Sequence, residues 1–202
     1  RPLRARKNPL TQLAIRSVHN KNKIAIKIKW EDPTADSIIN NNYIDQSAIQ
    51  FAVDDSDIED SPFYGMGEKG KIVNIWHWKA DVRQKIIKND KSRQEKTAKI
   101  PSSLARMFVN PFTESSVEEM NSKGIGALTV QPLADQKVEG RGYWHNGYWN
   151  VVFIRNLKAT SKWDIDFSVK NQVVLAFALW DGSKKEMNSN KMVSFWQTLI
   201  FR

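Results

Sequence analysis

Apolar and polar residues alternate with a period of two over much of this chain. From Lys23 to Trp30 the side chains of Ile24, Ile26, Ile28 and Trp30 fall on one side and those of Lys23, Lys27 and Lys29 on the other, the pattern of a half-buried strand. Runs rich in β-branched and aromatic residues over 48–53, 72–79 and 125–130 predict further short strands. Residues 143–149 set Asn146-Gly147 between two aromatic arms, the strongest hairpin signal in the chain, and the second arm continues through Val151, Val152 and Phe153. Trp163, Ile165, Phe167 and Val169 alternate with Asp164, Asp166 and Ser168, which predicts another strand. Residues 173–180 are apolar throughout, as in a central strand covered on both faces. A strand over 194–200 closes the set.

Helix signals are few. The best lies over 115–123, where Ser116 and Glu119 fit a capping box and Gly124 stands where a helix would stop. Residues 101–106 predict one more turn, and the basic stretch 85–99, with little apolar periodicity, reads as a surface loop or an exposed helix. About eight strands separated by turns predict an all-β fold, an antiparallel β-sandwich with a few short helices in its connecting loops. At 202 residues the chain suits one domain. The division expected is a basic N-terminal extension over 1–30, leading into the first strand, and a single sandwich domain over 31–202.

Charge sharpens that division. The net charge is +9, yet residues 1–29 hold nine Lys/Arg and no acid, so the rest of the chain balances at 22 bases against 22 acids. Within it, residues 31–68 carry ten acids and no base, and residues 69–106 carry eleven bases and three acids. Such polarisation favours charged protein partners at least as well as a polyanion. No apolar run approaches the ~20 residues of a membrane-spanning helix, so no membrane span is expected. Cysteine is absent, which excludes disulfides, iron–sulfur ligation and covalently attached haem.

The three histidines, His19, His77 and His145, form no zinc-binding spacing, and phosphate-binding and nucleophile-elbow motifs are missing. The acidic run Asp54, Asp55, Asp57, Glu59 and Asp60 lacks the glycine and terminal glutamate of a calcium loop and reads as solvated. What remains is aromatic. Asn74-Ile75-Trp76-His77-Trp78-Lys79-Ala80-Asp81, preceded by Gly65-Met66-Gly67 and answered by Trp180-Asp181-Gly182-Ser183 and Lys191, suits the wall of a pocket for a large flat ligand that carries a metal. The plainer alternative is that Trp76, Trp78, Trp180 and Trp196 are sandwich core and that His77 is a satisfied core histidine.

These motifs, joined by residues 62–67, 147–153 and 191–194, resemble the haem b (gamma) subunits of the type II dimethyl sulfoxide reductase family of molybdenum enzymes. That group includes ethylbenzene dehydrogenase, chlorate reductase, dimethyl sulfide dehydrogenase and nitrite oxidoreductase-like complexes. The resemblance covers roughly residues 45–200. It implies a β-sandwich holding one non-covalent haem b between a methionine and a lysine. The lysine carries over to Lys191, with Lys184 and Lys185 as near competitors. Met107, in Arg106-Met107-Phe108-Val109-Asn110, is preferred over Met66 for the methionine. Asn74, Trp76, His77, Trp78, Phe108, Asn110 and Trp180 are the remaining haem-contact candidates. The basic first thirty residues and the Lys-rich stretch 85–99 depart from the family pattern.

A thioether is a soft, neutral ligand that favours ferrous iron, and two axial side chains leave no site for substrate. Lysine ligates only as the free amine, and holding it neutral near pH 7 costs roughly 4.6 kcal/mol. The implied role is therefore electron relay without catalysis. It would run between the iron–sulfur subunit of a complex with a molybdopterin-containing catalytic subunit and an external carrier such as a soluble cytochrome. The expected location is exported, periplasmic or equivalent, in keeping with a chain that begins at Arg1 rather than Met. Two other functions compete: a cofactor-free carbohydrate-binding sandwich with exposed tryptophans, and an anion binder acting through residues 1–29. That tail lacks the interleaved aromatics of a nucleic-acid stacking surface, so no nucleic-acid partner is expected.

Overall fold

A computed structural model describes residues 12–37, 43–54, 57–80, 85–87 and 116–201, the three residues 85–87 by backbone alone. In chain order the strands are β1 (Ala14–His19), β2 (Lys23–Glu31), β3 (Gln46–Ala52), β4 (Val73–Lys79), β5 (Lys85–Ile87), β6 (Val117–Ser122), β7 (Leu128–Val130), β8 (Glu139–His145), β9 (Tyr148–Asn156), β10 (Gln172–Trp180), β11 (Met192–Val193) and β12 (Gln197–Ile200). Three short 3-10 helices, at Leu133–Asp135, Phe167–Val169 and Gly182–Lys184, sit in connections. The strands form two sheets. One runs β1-β2-β9-β8-β5; the other runs β11-β10-β3-β4-β6-β7, with β12 following β11 along the same edge of β10. All pairings are antiparallel except β5 with β8. The all-β sandwich expected from the alternation is the fold observed.

The core lies between the sheets. Ile24, Ile26 and Ile28 of β2 and Trp149, Val151 and Phe153 of β9 meet Ile49 and Phe51 of β3, Trp76 and Trp78 of β4 and Leu175 and Leu179 of β10. The rings interlock edge to face, Trp78 against Trp149 at 5.1 Å and Phe51 against Phe167 at 5.4 Å, which adds specific geometry to apolar burial. The Asn146-Gly147 turn joins β8 to β9 with both residues at positive φ, 49° and 78°, as the primed hairpin turn requires. Strands β1 and β2 are full members of the first sheet, so the basic extension enters the sandwich from Ala14 onward.

Two expectations fail for physical reasons. Residues 117–122, expected as part of a helix, form strand β6 between β4 and β7. There Val117 and Glu119 point into the sandwich opposite Trp78 and Trp76, and the Glu119 carboxylate meets Arg155 at 3.3 Å. Tertiary burial of the ion pair and strand pairing override the capping-box signal. Residues 163–169 do not form a strand: Ile165 and Phe167 are buried while Trp163 and Val169 are exposed. The segment is instead held by Arg155, which donates to the Ile165 carbonyl, and by the Phe167 amide donating to the Leu157 carbonyl. The turn expected at 101–106 and most of the stretch 85–99 lie outside the described residues; Lys85–Ile87 is a strand.

Arg155 is the polar centre of this packing. Its guanidinium lies between the Trp76 and Phe167 rings at 5.1 and 5.0 Å and also approaches Asn74 Oδ1 at 3.5 Å. Burial raises the Glu119 pKa and lowers that of Arg155, and each partner's opposite charge works against the shift. Removing one partner of a buried pair strands the other charge. Replacing Arg155 with Leu should therefore cost about 3–5 kcal/mol in urea unfolding, and adding Glu119→Leu should recover most of that loss.

Candidate functional site

Strands β3, β4, β6 and β10 of the second sheet are buried on both faces, and the outward face carries the site. On β3 the inward residues are Ser47, Ile49 and Phe51, which leaves Gln46, Ala48 and Gln50 facing out. On β4 the inward residues are Asn74, Trp76 and Trp78, which leaves Ile75, His77 and Lys79 facing out. Strand β10 continues the outer row with Ala176, Ala178 and Trp180. Three alanines in adjacent strands thus form a low floor. Taller residues rise around it and enclose a cavity of about 590 Å3, within the ~300–1,000 Å3 range usual for cofactor and ligand sites.

One wall is the loop over residues 62–67, fastened to the sheet by Gln50 Nε2 donating to the Tyr64 carbonyl at 2.9 Å and by Trp196 Nε1 donating to the Pro62 carbonyl at 2.7 Å. Met66 lines the cavity from this loop with φ at 84°, a left-handed conformation that costs a methionine on the order of 1 kcal/mol. Such strain persists only where the surroundings enforce it. Here Gly67, also at positive φ, packs so close that a Cβ would stand 3.0 Å from the Ser122 carbonyl oxygen. Met120 and Met187 line the cavity too.

The opposite wall follows β10. Trp180 Nε1 donates to the Asn188 carbonyl at 3.0 Å, and the Lys191 amine donates to the same carbonyl at 3.3 Å while lying 5.3 Å above the Trp180 ring. Burial lowers the Lys191 pKa. His77 packs against Trp180 with ring centroids 4.9 Å apart and pairs through Nε2 with Gln46 Oε1 at 2.8 Å. Burial, with Lys79 and Lys191 adding to it, holds the His77 pKa well below its ordinary value, so the imidazole is neutral near pH 7. At that end of the cavity Lys79 pairs with Glu118 at 2.7 Å.

The structure therefore brings Met66, His77, Trp180 and Lys191 to one cavity and turns Asn74, Trp76 and Trp78 away from it, into the sandwich. Asn74 there serves Trp76, whose Nε1 donates to Asn74 Oδ1 at 3.0 Å. The reason is the two-residue period: three alternate positions of one strand cannot share a face with His77 between them. Met107, Phe108 and Asn110 lie outside the described residues. Sequence reading passed over Ala48, Ala176 and Ala178, although small residues at alternate positions of buried strands are a visible sign of space on one face.

The loop after Trp180 is held by a group of carboxyls. Asp45 accepts from Trp149 Nε1, from the Asp36 amide and from the Gly182 amide at 2.7–2.8 Å, and its carboxyl group lies with those of Asp32 and Asp181 within 4.8 Å. At Gly182 a Cβ would stand 2.6 Å from Asp36 Cβ, so no other residue fits. In Trp-Asp-Gly-Ser only the tryptophan faces the cavity; the rest fastens the loop that carries Lys191. Burial, with the Asp32 charge adding to it, pushes Asp45 up to about 8, and burial pushes Asp32 up to about 6.

A sequence model of the ethylbenzene dehydrogenase family matches residues 2–192, and the chain belongs to that family. It is 25% identical over 191 residues to a Haloferax mediterranei protein provisionally named a respiratory nitrate reductase heme subunit, covering 94% of this chain and 55% of the relative. It is 23% identical to the chlorate reductase subunit gamma of Ideonella dechloratans, covering 92% of this chain and 64% of that one. It is 27% identical to the dimethylsulfide dehydrogenase subunit gamma of Rhodovulum sulfidophilum, covering 92% and 58%. The chain thus spans roughly half to two thirds of the length of these relatives.

The carboxyl group has a pH signature. The folded chain holds the Asp45 proton up to about pH 8, whereas the unfolded chain releases it near 3.8, so this site makes stability fall as pH rises between those values. Asp45→Asn, which removes the titrating group, should flatten the decline in melting temperature measured from pH 5 to pH 8.5.

Proposed function

We propose that this chain is a non-catalytic electron-transfer subunit that binds one haem b in the cavity on the outer face of the second sheet. The observation that carries the proposal is the cavity itself: an alanine floor, a tryptophan, a neutral histidine, a thioether on a strained loop and a half-buried lysine on the facing loop. Support also comes from relatives, one named a heme subunit and two named gamma subunits of a reductase and a dehydrogenase.

In this reading the Lys191 amine would be one of the two side chains that hold the iron. Its lowered pKa reduces the cost of offering a free lone pair. The second ligand is a methionine thioether; Met107 is the candidate by family resemblance, and Met66 is the candidate that lines the described cavity, beside Met120 and Met187. Trp180 and His77 form the flat side wall, and the Lys79–Glu118 pair closes one end. When bound, haem supplies a one-electron couple, and two protein ligands withhold the iron from substrate. The partners proposed are an iron–sulfur subunit and a molybdopterin-containing catalytic subunit of one complex, with a soluble cytochrome as external carrier. An exported location rests on the family resemblance alone.

The carbohydrate-binding alternative loses its main support. Trp30, Trp76, Trp78, Trp149, Trp180 and Trp196 are buried, Trp144 is half-buried, and only Trp163 is exposed among the eight, so no row of tryptophans stands ready to stack on sugar rings.

Absorption spectra of the purified chain, oxidised and dithionite-reduced, test the proposal. A Soret band with sharp reduced α and β bands is expected, lost or shifted in Lys191→Ala and in whichever of Met66→Leu and Met107→Leu removes the second ligand. A colourless chain that takes up no added haemin would exclude it. Filling the floor locates the site: Ala178→Leu should keep the melting temperature within a few degrees while weakening haemin uptake by tenfold or more, because the half-buried Ala178 faces the cavity.

A further inference from the structure

The outer face of the first sheet, on the side of the sandwich away from the cavity, carries charge that the described residues do not balance. Cross-strand register aligns Arg16 of β1, Lys27 of β2, Val152 of β9 and Arg141 of β8 in one row. Lys29 and Lys23 flank that row on β2. The acids of this face, Glu31 and Glu139, stand toward its margins, opposite Tyr148 and Ile154. Like charges set directly across strands destabilise a sheet, so Arg16 opposite Lys27 is not a stability device. Neither Arg16, Lys27, Lys29 nor Arg141 makes an ion pair among the described residues; Lys27 and Lys29 instead lie over the Tyr143 and Tyr148 rings at 5.8 and 4.2 Å. A hollow of about 770 Å3 opens beside Lys23, Lys137 and Arg141.

The two longest segments outside the described residues are net basic. Residues 1–11 hold four bases and no acid, and residues 88–115 hold six bases and three acids. The face mixes its cations with Ala25, Val152, Ile154 and two tyrosines. Arginine and tyrosine are enriched at protein interfaces, and two of each stand on this face. Nucleic-acid stacking is disfavoured because the lysines already cover the tyrosine rings.

We propose that this face docks the acidic surface of a partner protein, with the row Arg16, Lys27 and Arg141 as its electrostatic centre. The docking is independent of what the cavity holds. It also keeps the outer face of the second sheet clear, so a bound partner and an occupied cavity are compatible.

Calorimetric titration of the full chain with poly-L-glutamate, at low and at physiological salt, tests this. The parent should bind with salt-sensitive affinity. Lys27→Glu/Arg141→Glu should weaken binding by tenfold or more, and Lys27→Gln/Arg141→Gln by less. Lys69→Glu/Lys123→Glu, on turns of the other sheet, should change it less than threefold. Melting temperatures of the face variants should equal or exceed the parent's, since repulsion across β1 and β2 is relieved. Three outcomes would overturn the proposal: no binding by the parent, equal weakening by the two charge-reversed pairs, or a larger loss for duplex DNA or phosphatidylserine vesicles than for polyglutamate.

Discussion

Burial on both faces of the second sheet is the constraint on which the rest of this molecule depends. A strand shows its side chains alternately to either side, so each residue of β3, β4 and β10 faces either the sandwich core or the outer side on which the cavity lies. The inward set, with Phe51, Trp76, Trp78 and Leu175, is large and close-packed. The outward set, with Ala48, Ala176 and Ala178, is small. The difference in volume between the two faces opens a hollow on one side while the other stays dense. A shift of register by one residue would send the tryptophans outward and close the hollow.

Register is protected by polar groups that tolerate no slip. Arg155 and Glu119 meet inside the sandwich with Asn74 beside them, and a displaced partner would leave a buried charge unpaired. Asp45 plays the corresponding part at the other end, holding Trp149 of one sheet and the Gly182 loop of the other. The walls of the cavity hang from these anchors. Met66 keeps a left-handed backbone because its loop is fastened by Gln50 and Trp196, and Lys191 reaches the cavity because the loop before it is clamped to Asp45.

Charge is divided between the faces in the same way. On the cavity side Lys79 is balanced by Glu118, and burial pushes His77 and Lys191 toward their neutral forms. The far side concentrates exposed lysine and arginine in a stripe. A neutral, apolar recess on one sheet and a cationic surface on the other give the sandwich two chemically distinct sides.

Fold class was legible in the order of residues because alternation is local: β2, the β8–β9 hairpin and the apolar run of β10 announce themselves within a few positions. Trp180, His77, Met66 and Lys191, far apart along the chain, meet in one cavity. The sequence could not show which face each tryptophan takes, since parity along a strand has no meaning until the strand has neighbours. Nor could it show that residues 117–122 pair as a strand, because the groups that hold them, Arg155 and the β4 ladder, lie far away along the chain. Local patterns thus determined that this chain builds sheets; only the packing of the sheets decided which side of each strand became core and which became site, because burial is a property of neighbours and not of a residue alone.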